Sequence, residues 1–212
     1  MKKKLNIGIV VGGLHPAVLG GKEKQAVDLA THLSQRNVVK VFTRYSYRNI
    51  KSGIPYELIQ LKCPNLPVIR YFYDIISFLF NLLSFRKKID YLFCFGVGND
   101  AVKGLLANVF FGIPFSFSIR GPDSYQKASR FYKKIIELLV SKCSMIHVQT
   151  DSIREDFGNF IPNNKMVVIP NGINLSARKY LNYSERDRQI IFIGRMVSDK
   201  RGADKGIRYL ID

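Results

Sequence analysis

Four short segments carry residue types whose spacing suits the handling of an anion. The first is Gly12-Gly13-Leu14-His15-Pro16 followed by Gly20-Gly21-Lys22-Glu23. It lies between an apolar run and a helix-like segment whose apolar side is Ala26, Leu29, Ala30 and Leu33. Glycine lets backbone approach a ligand closely, and a helix N-terminus beyond it offers free N–H groups and a positive dipole end, which suits a diphosphate. A plain tight connection would use the same glycines. Neither pair extends into G-x-G-x-x-G and no convincing acidic residue ends the second strand, so the dinucleotide fingerprint is missing.

The second segment is Ser118-Ile119-Arg120-Gly121-Pro122-Asp123, at the carboxyl end of a predicted strand, where open α/β sheets place ligand-contacting groups. Arg120 offers a permanent positive fork for phosphate or developing charge, and Asp123 can accept sugar hydroxyls. A Gly-Pro turn with a surface ion pair reads equally well. The third, Val167 to Asn174, runs a strand into Pro170-Asn171-Gly172, a turn that would also serve as a sharp exit from a domain. In the fourth, Ile190 to Ile193 leads into Gly194-Arg195, with Lys200 and Lys205 beyond. An arginine leaving a buried strand, with lysines and a helix start nearby, could clamp a diphosphate leaving group; elsewhere the same charges would be solvated.

The elements that must position these segments alternate between short apolar runs and helix-period stretches, the pattern of a parallel sheet flanked by helices. Strands are predicted at Leu5–Val11, Val38–Thr43, Tyr56–Leu61, Tyr91–Phe95, Phe115–Ile119, Met145–Gln149 and Met166–Ile169. Helices are predicted at Lys22–Gln35, Ile69–Phe85, Asn99–Phe111, Gln126–Lys142 and Ser152–Phe157. The fold class is therefore α/β, a doubly wound, Rossmann-like parallel sheet occupying residues 1–177. A polar stretch over 178–188 reads as a linker, and 189–212 as the start of a second domain that cannot bury both its faces and is incomplete.

With 212 residues and 47% hydrophobic content, the chain can build a core. Thirty-three Lys and Arg against sixteen Asp and Glu give +17, a field that favours a phospholipid surface, a diphosphate or nucleic acid. Cys63, Cys94 and Cys143 are odd in number and lie in or beside apolar runs, which fits free thiols in a reducing compartment and neither a disulfide framework nor a metal site. The Lys-rich start and Leu5–Val11 superficially match a secretory leader, but the run is short and ends in glycines, so a first core strand is predicted.

Taken in order and spacing, Gly20-Gly21-x-Glu23, Arg120-Gly121-x-Asp123, Ile169-Pro170-Asn171-Gly172-Ile173-Asn174 and Gly194-Arg195 with its lysines resemble the family-4 type (group 1) retaining glycosyltransferases of GT-B fold. The resemblance spans essentially the whole chain. It implies that the chain is the acceptor-side half, that the reaction transfers a hexose-type sugar from a nucleotide diphosphate donor, and that no cofactor or metal is required. It places Gly20, Gly21, Asn171 and Gly172 against the donor, and assigns Arg120 and Asp123 to catalysis. Arg195, with Lys200 or Lys205, would neutralise the diphosphate from the second domain. Many relatives carry a histidine where Arg120 stands. The family's E-x7-E pair would follow beyond residue 212, so the chain alone is expected to be inactive.

The acceptor implied is a glycan or lipid-linked molecule of cell-surface polysaccharide or glycolipid synthesis, handled in the cytoplasm or peripherally on the inner membrane face. The segment Tyr71 to Phe85 is aromatic and aliphatic apart from a stripe of Arg70, Asp74, Ser77, Asn81, Ser84 and Lys88, and is read as a mostly buried helix. Its neighbours Arg86-Lys87-Lys88, and Lys127, Arg130, Lys133, Lys134 and Lys142 further on, favour an anionic membrane surface as a further partner. No nucleic-acid-binding motif accompanies the charge, and the missing fingerprint weighs against a nicotinamide oxidoreductase. The alternative that remains is a non-catalytic acceptor-binding or partner-recruiting subunit.

Overall fold

The computed structural model describes residues 4–45, 53–64, 67–85, 89–120, 129–158 and 160–172. The expected linker 178–188, the segment 189–212 with Arg195, Lys200 and Lys205, the basic run 86–88 and Asp123 lie outside the described residues.

Seven strands form one sheet: β1 (Asn6–Gly13), β2 (Val38–Tyr45), β3 (Glu57–Gln60), β4 (Tyr91–Cys94), β5 (Phe115–Ile119), β6 (Met145–Val148) and β7 (Met166–Val168). Their order is β3-β2-β1-β4-β5-β6-β7, and every pairing is parallel. The helices between them are α1 (Gly21–Ser34), α2 (Pro67–Phe85), α3 (Asn99–Phe111), α4 (Arg130–Lys142) and α5 (Asp151–Gly158). Central strands read as continuous apolar runs because both faces are covered; β5 is buried along all five residues.

Strand alternation divides the core between two layers. Ile9, Val11, Val39 and Val41 cluster with Ala26 and Ala30 of α1. Val10, Phe42, Cys94, Phe117 and Ile146 cluster with Phe78 and Leu82 of α2, Ala101 and Leu105 of α3, and Ile136 and Leu139 of α4. Phe42 and Phe78 meet edge to face at 5.2 Å. Gly104 lets α3 approach the sheet: a Cβ there would lie 2.6 Å from Phe115 Cδ2 and 2.7 Å from Cys94 Sγ.

After β1 the chain builds β2 and β3 to one side, then returns through α2 to place β4 on the other side of β1. This reversal opens a crevice at the carboxyl ends of β1 and β4, the position at which open α/β sheets take ligands.

Two expectations need correction. Helix α4 begins at Arg130, not Gln126. Ser129 is extended at φ −60° and ψ 154°, and its hydroxyl accepts the Tyr132 N–H at 3.2 Å, which makes it the N-cap. Helix α2 is not mostly buried. Tyr71, Phe72, Tyr73, Ile76, Phe80 and Leu83 are exposed, while Asp74 of the polar stripe is fully buried. Asp74 turns inward because cations from β2 and α3, Arg44 and Lys103, stand 3.5 and 2.7 Å from it there.

Candidate functional site

The site is built from the carboxyl ends of the strands. At the end of β1, the Gly12 N–H donates to Asp100 Oδ2 at 3.2 Å, tying the glycine turn to the first turn of α3. Asp100 is nearly buried, and burial raises its carboxyl above the ordinary range, an effect offset by Lys103, then Lys22 and Arg44. Lys22 Nζ lies 3.8 Å from Asp100 and 3.9 Å from Glu23. Behind it, Lys103 Nζ stands 3.8 Å from Asp100 and 2.7 Å from Asp74, with both Lys103 and Asp74 fully buried. Arg44 Nε completes the cluster 3.5 Å from Asp74, and Asn99 donates to the same carboxylate.

Gly20 is the N-cap of α1 with extended backbone, a conformation open to any residue. The Glu23 carboxylate folds back over the position a Cβ would take, a contact that the flexible side chain could relieve by swinging away. Among the described residues a Cβ at Gly21 would meet nothing within 4 Å, and no side chain caps the start of α1. Its first N–H groups and dipole are therefore available to an anion.

Arg120 follows β5. Its Nε donates to Ser118 Oγ at 3.1 Å and its guanidinium lies 4.6 Å from the centre of the Phe95 ring. Burial lowers its pKa to about 10, with the charge of Glu23 acting the other way, so the group stays cationic at neutral pH. At the end of β6, Gln149 Nε2 donates to Asn171 Oδ1 at 2.9 Å and reaches Gln25 Oε1 of α1 at 3.5 Å. Beside it, His147 Nε2 donates to the Ile169 carbonyl at 2.8 Å, while buried Nδ1 has no partner among the described residues. Burial, with Arg120 as a smaller contribution, lowers the His147 pKa.

Asn171, with Gly172 next to it, is thus linked through Gln149 and Gln25 to the first turns of α1, where Gly20 and Gly21 lie, and Arg120 feels the charge of Glu23 in the same turn. Asp123, Arg195, Lys200 and Lys205 lie outside the described residues. Sequence reasoning missed Asp100, Lys103, Arg44, Gln25 and Gln149; the available signal was charge interrupting apolar helix, as in Asp100-Ala101-Val102-Lys103-Gly104-Leu105.

A family model for Glycosyltransferase Family 4 matches residues 19–177. The chain belongs to that family. Its described fold is the Rossmann-like N-terminal part of the GT-B architecture. Sucrose-phosphate synthase from Thermosynechococcus elongatus superposes with a TM-score of 0.64 at 15% identity, covering 81% of this chain and 49% of its own. HepE from Anabaena, solved with UDP and glucose, superposes at 0.59 with 16% identity, covering 79% and 45%. WaaG, a glycosyltransferase involved in lipopolysaccharide biosynthesis, superposes at 0.57 with 14% identity, covering 86% and 48%. The family-4 chain spans about half the length of these solved structures. No curated protein sequence matches it. Among the described residues, no helix is long and apolar enough to cross a membrane.

Proposed function

We propose that the family-4 chain is the acceptor-side half of a glycosyltransferase that moves a hexose-type sugar from a nucleotide diphosphate donor to a cell-surface glycan or glycolipid acceptor. The observation that carries this reading is the family match over residues 19–177, combined with a cation and a free helix N-terminus at the same carboxyl edge of the sheet. The UDP held by HepE supports a uridine nucleotide donor, and the lipopolysaccharide role of WaaG supports a surface glycan.

Departure of a nucleoside diphosphate builds negative charge on phosphate, and prepositioned cations and N–H dipoles lower that barrier. In this reading the backbone at Gly20 and Gly21 and the amides beyond it face the diphosphate, and Arg120 stabilises the developing charge. Asn171 and Gly172 border the donor, Asp123 accepts sugar hydroxyls, and Arg195 with Lys200 or Lys205 neutralises the diphosphate; those cations belong to a second domain begun at 189 after a linker at 178–188. Residues 71–83 of α2 supply an apolar face, and the basic residues of α4 supply charge, for peripheral attachment to an anionic inner membrane face.

The test uses the intact protein isolated from its source cells, assayed for donor consumption across nucleotide sugars. Arg120→Gln is expected to lower kcat by roughly a hundredfold or more, as loss of one electrostatic donor does, with the circular dichroism spectrum retained. A folded Arg120→Gln protein turning over at the wild-type rate would remove Arg120 from the mechanism. An intact protein that consumes no donor would favour the non-catalytic subunit.

A further inference from the structure

A second concentration of positive charge lies in a pocket of about 320 Å³ at the ends of β2 and β3. This is near the small end of the roughly 300–1,000 Å³ that ligand sites span, room for a small ester group and not for a polymer. Three cations, Arg44, Lys62 and Arg70, line it together with Tyr45 and Cys63. The one described carboxylate within 4 Å of any of these cations is Asp74, 3.5 Å from Arg44, and it is already held by Lys103 at 2.7 Å. Arg70 and Lys62 have no carboxylate within 4 Å among the described residues, and the sequence of the adjoining segments 46–52 and 65–66 contains neither Asp nor Glu.

The guanidinium groups are held in place. Arg70 Nη1 donates to the Tyr45 hydroxyl at 2.9 Å, and Arg44 and Arg70 lie 5.7 and 5.8 Å from the Tyr71 ring centre. Arg70 Nε is buried and makes no hydrogen bond among the described residues, and Arg44 Nε, 3.5 Å from Asp74, makes none either. Arg70 and Lys62 add charge that no described carboxylate offsets, and a bound anion would balance it. Cys63 does not supply the charge: burial raises its thiol pKa, and its Sγ donates to the Arg70 carbonyl at 3.0 Å.

We infer that this pocket binds a phosphate ester carried by the acceptor. The inference rests on the glycosyltransferase reading for the word acceptor, but not for the binding itself. Arg44 and Arg70 grip the phosphate oxygens, Lys62 neutralises the remaining charge, and the Tyr71 ring keeps the two guanidinium groups in position. The same phosphate could belong to a soluble sugar phosphate or to a lipid, since the exposed face of α2 begins at Tyr71 and Phe72.

The test follows the arginine Nε–Hε resonances of the full chain during titration with inorganic phosphate and with glycerol phosphate. Saturable shifts at Arg44 and Arg70 are expected, with affinity reduced about tenfold or more by Arg70→Gln and again by Lys62→Gln, as loss of charge-assisted contacts requires. Neither residue pairs with a described carboxylate, so both variants should keep the fold. A second arm measures binding to phosphatidylcholine vesicles with and without phosphatidic acid. Arg70-dependent binding only to the soluble ester identifies a soluble phospho-acceptor, and Arg70-dependent binding only to phosphatidic acid vesicles identifies a lipid phosphate. Absence of saturable binding to any of these probes, or binding unchanged in the double variant, overturns the inference. Donor consumption by the intact protein is a separate readout, so failure of the pocket and failure of the transferase reading are distinguishable.

Discussion

Asp74→Asn is the sharpest probe of what holds the carboxyl edge of the sheet together. The substitution keeps the size of the side chain and removes one charge at a point with no exposure to water. Lys103, also fully buried, loses the anion 2.7 Å from its ammonium, and Arg44 loses the one at 3.5 Å. Breaking a buried pair from one side costs about 3–5 kcal/mol, because the remaining charge is left uncompensated. For a domain of this size each 1 kcal/mol moves Tm by about 2–4 °C, so the expected loss is roughly 6–20 °C. Thermal unfolding followed by circular dichroism would measure the Tm, and urea unfolding the free energy. Asp74→Leu with Lys103→Met should recover at least about 1 kcal/mol of the summed single losses, since an apolar pair of similar volume replaces the ions. The exposed pair of Asp151 and Arg154, 3.8 Å apart, provides the contrast: Asp151→Asn should cost under about 1 kcal/mol. An Asp74→Asn protein within 1 kcal/mol of wild type, or strictly additive single losses, would refute the argument that the cluster fixes this edge.

Three further outcomes follow from the geometry. Because the folded state lowers the pKa of His147, neutral His147 contributes stability that is complete above about pH 6.5, the unfolded value, and is lost as pH falls below it through the folded pKa; His147→Gln should flatten the stability profile in that window. Gly104→Ala should lower stability by about 1–2 kcal/mol in a denaturant titration, since overpacking against Phe115 and Cys94 exceeds the gain in helix propensity. Phe72→Ser with Phe80→Ser, or charge reversal at Lys133 and Lys134, should weaken co-sedimentation with anionic liposomes by about tenfold or more, and unchanged sedimentation would remove α2 and α4 from membrane attachment.

All seven strands were legible because each is a short apolar run bounded by turn residues, and parallel strands covered on both faces need no alternation to be recognised. Boundaries shifted where pairing depends on a distant partner. β1 runs on to Gly13 because its backbone pairs with Tyr45, which the local composition of two glycines does not announce. The start of α4 was misplaced because Gln126 to Ala128 have ordinary helix propensity, whereas Ser129 stops the helix with a single side-chain bond to Tyr132. The candidate residues at Gly20, Arg120 and Asn171 could be singled out by type, but the side chains that link Asn171 to α1, Gln25 and Gln149, are unremarkable in sequence and acquire meaning only when the residue after β6 reaches the first turns of α1.

The orientation of α2 carries the lesson further. A polar stripe on an apolar helix normally marks the face turned to water, because solvating a charge is easier than burying it. Here the stripe contains Asp74, and two strand-and-helix neighbours, Arg44 and Lys103, already present cations to the inside. Turning α2 to bury Phe72 and Phe80 would carry Asp74 outward together with the fully buried Phe78 and Leu82, take the carboxylate from Arg44, and leave Lys103 only Asp100, 3.8 Å away. The ionic cluster and the Phe78–Leu82 face therefore set the rotation of the helix together, and the exposed aromatic face is their consequence. The same rotation brings Arg70 to the mouth of the basic pocket at β2 and β3 and lays Tyr71 across both arginines. Asp74 thus helps to fix both an apolar surface suited to a membrane and a cationic pocket suited to a phosphate, so the two features should weaken together when Asp74 is neutralised.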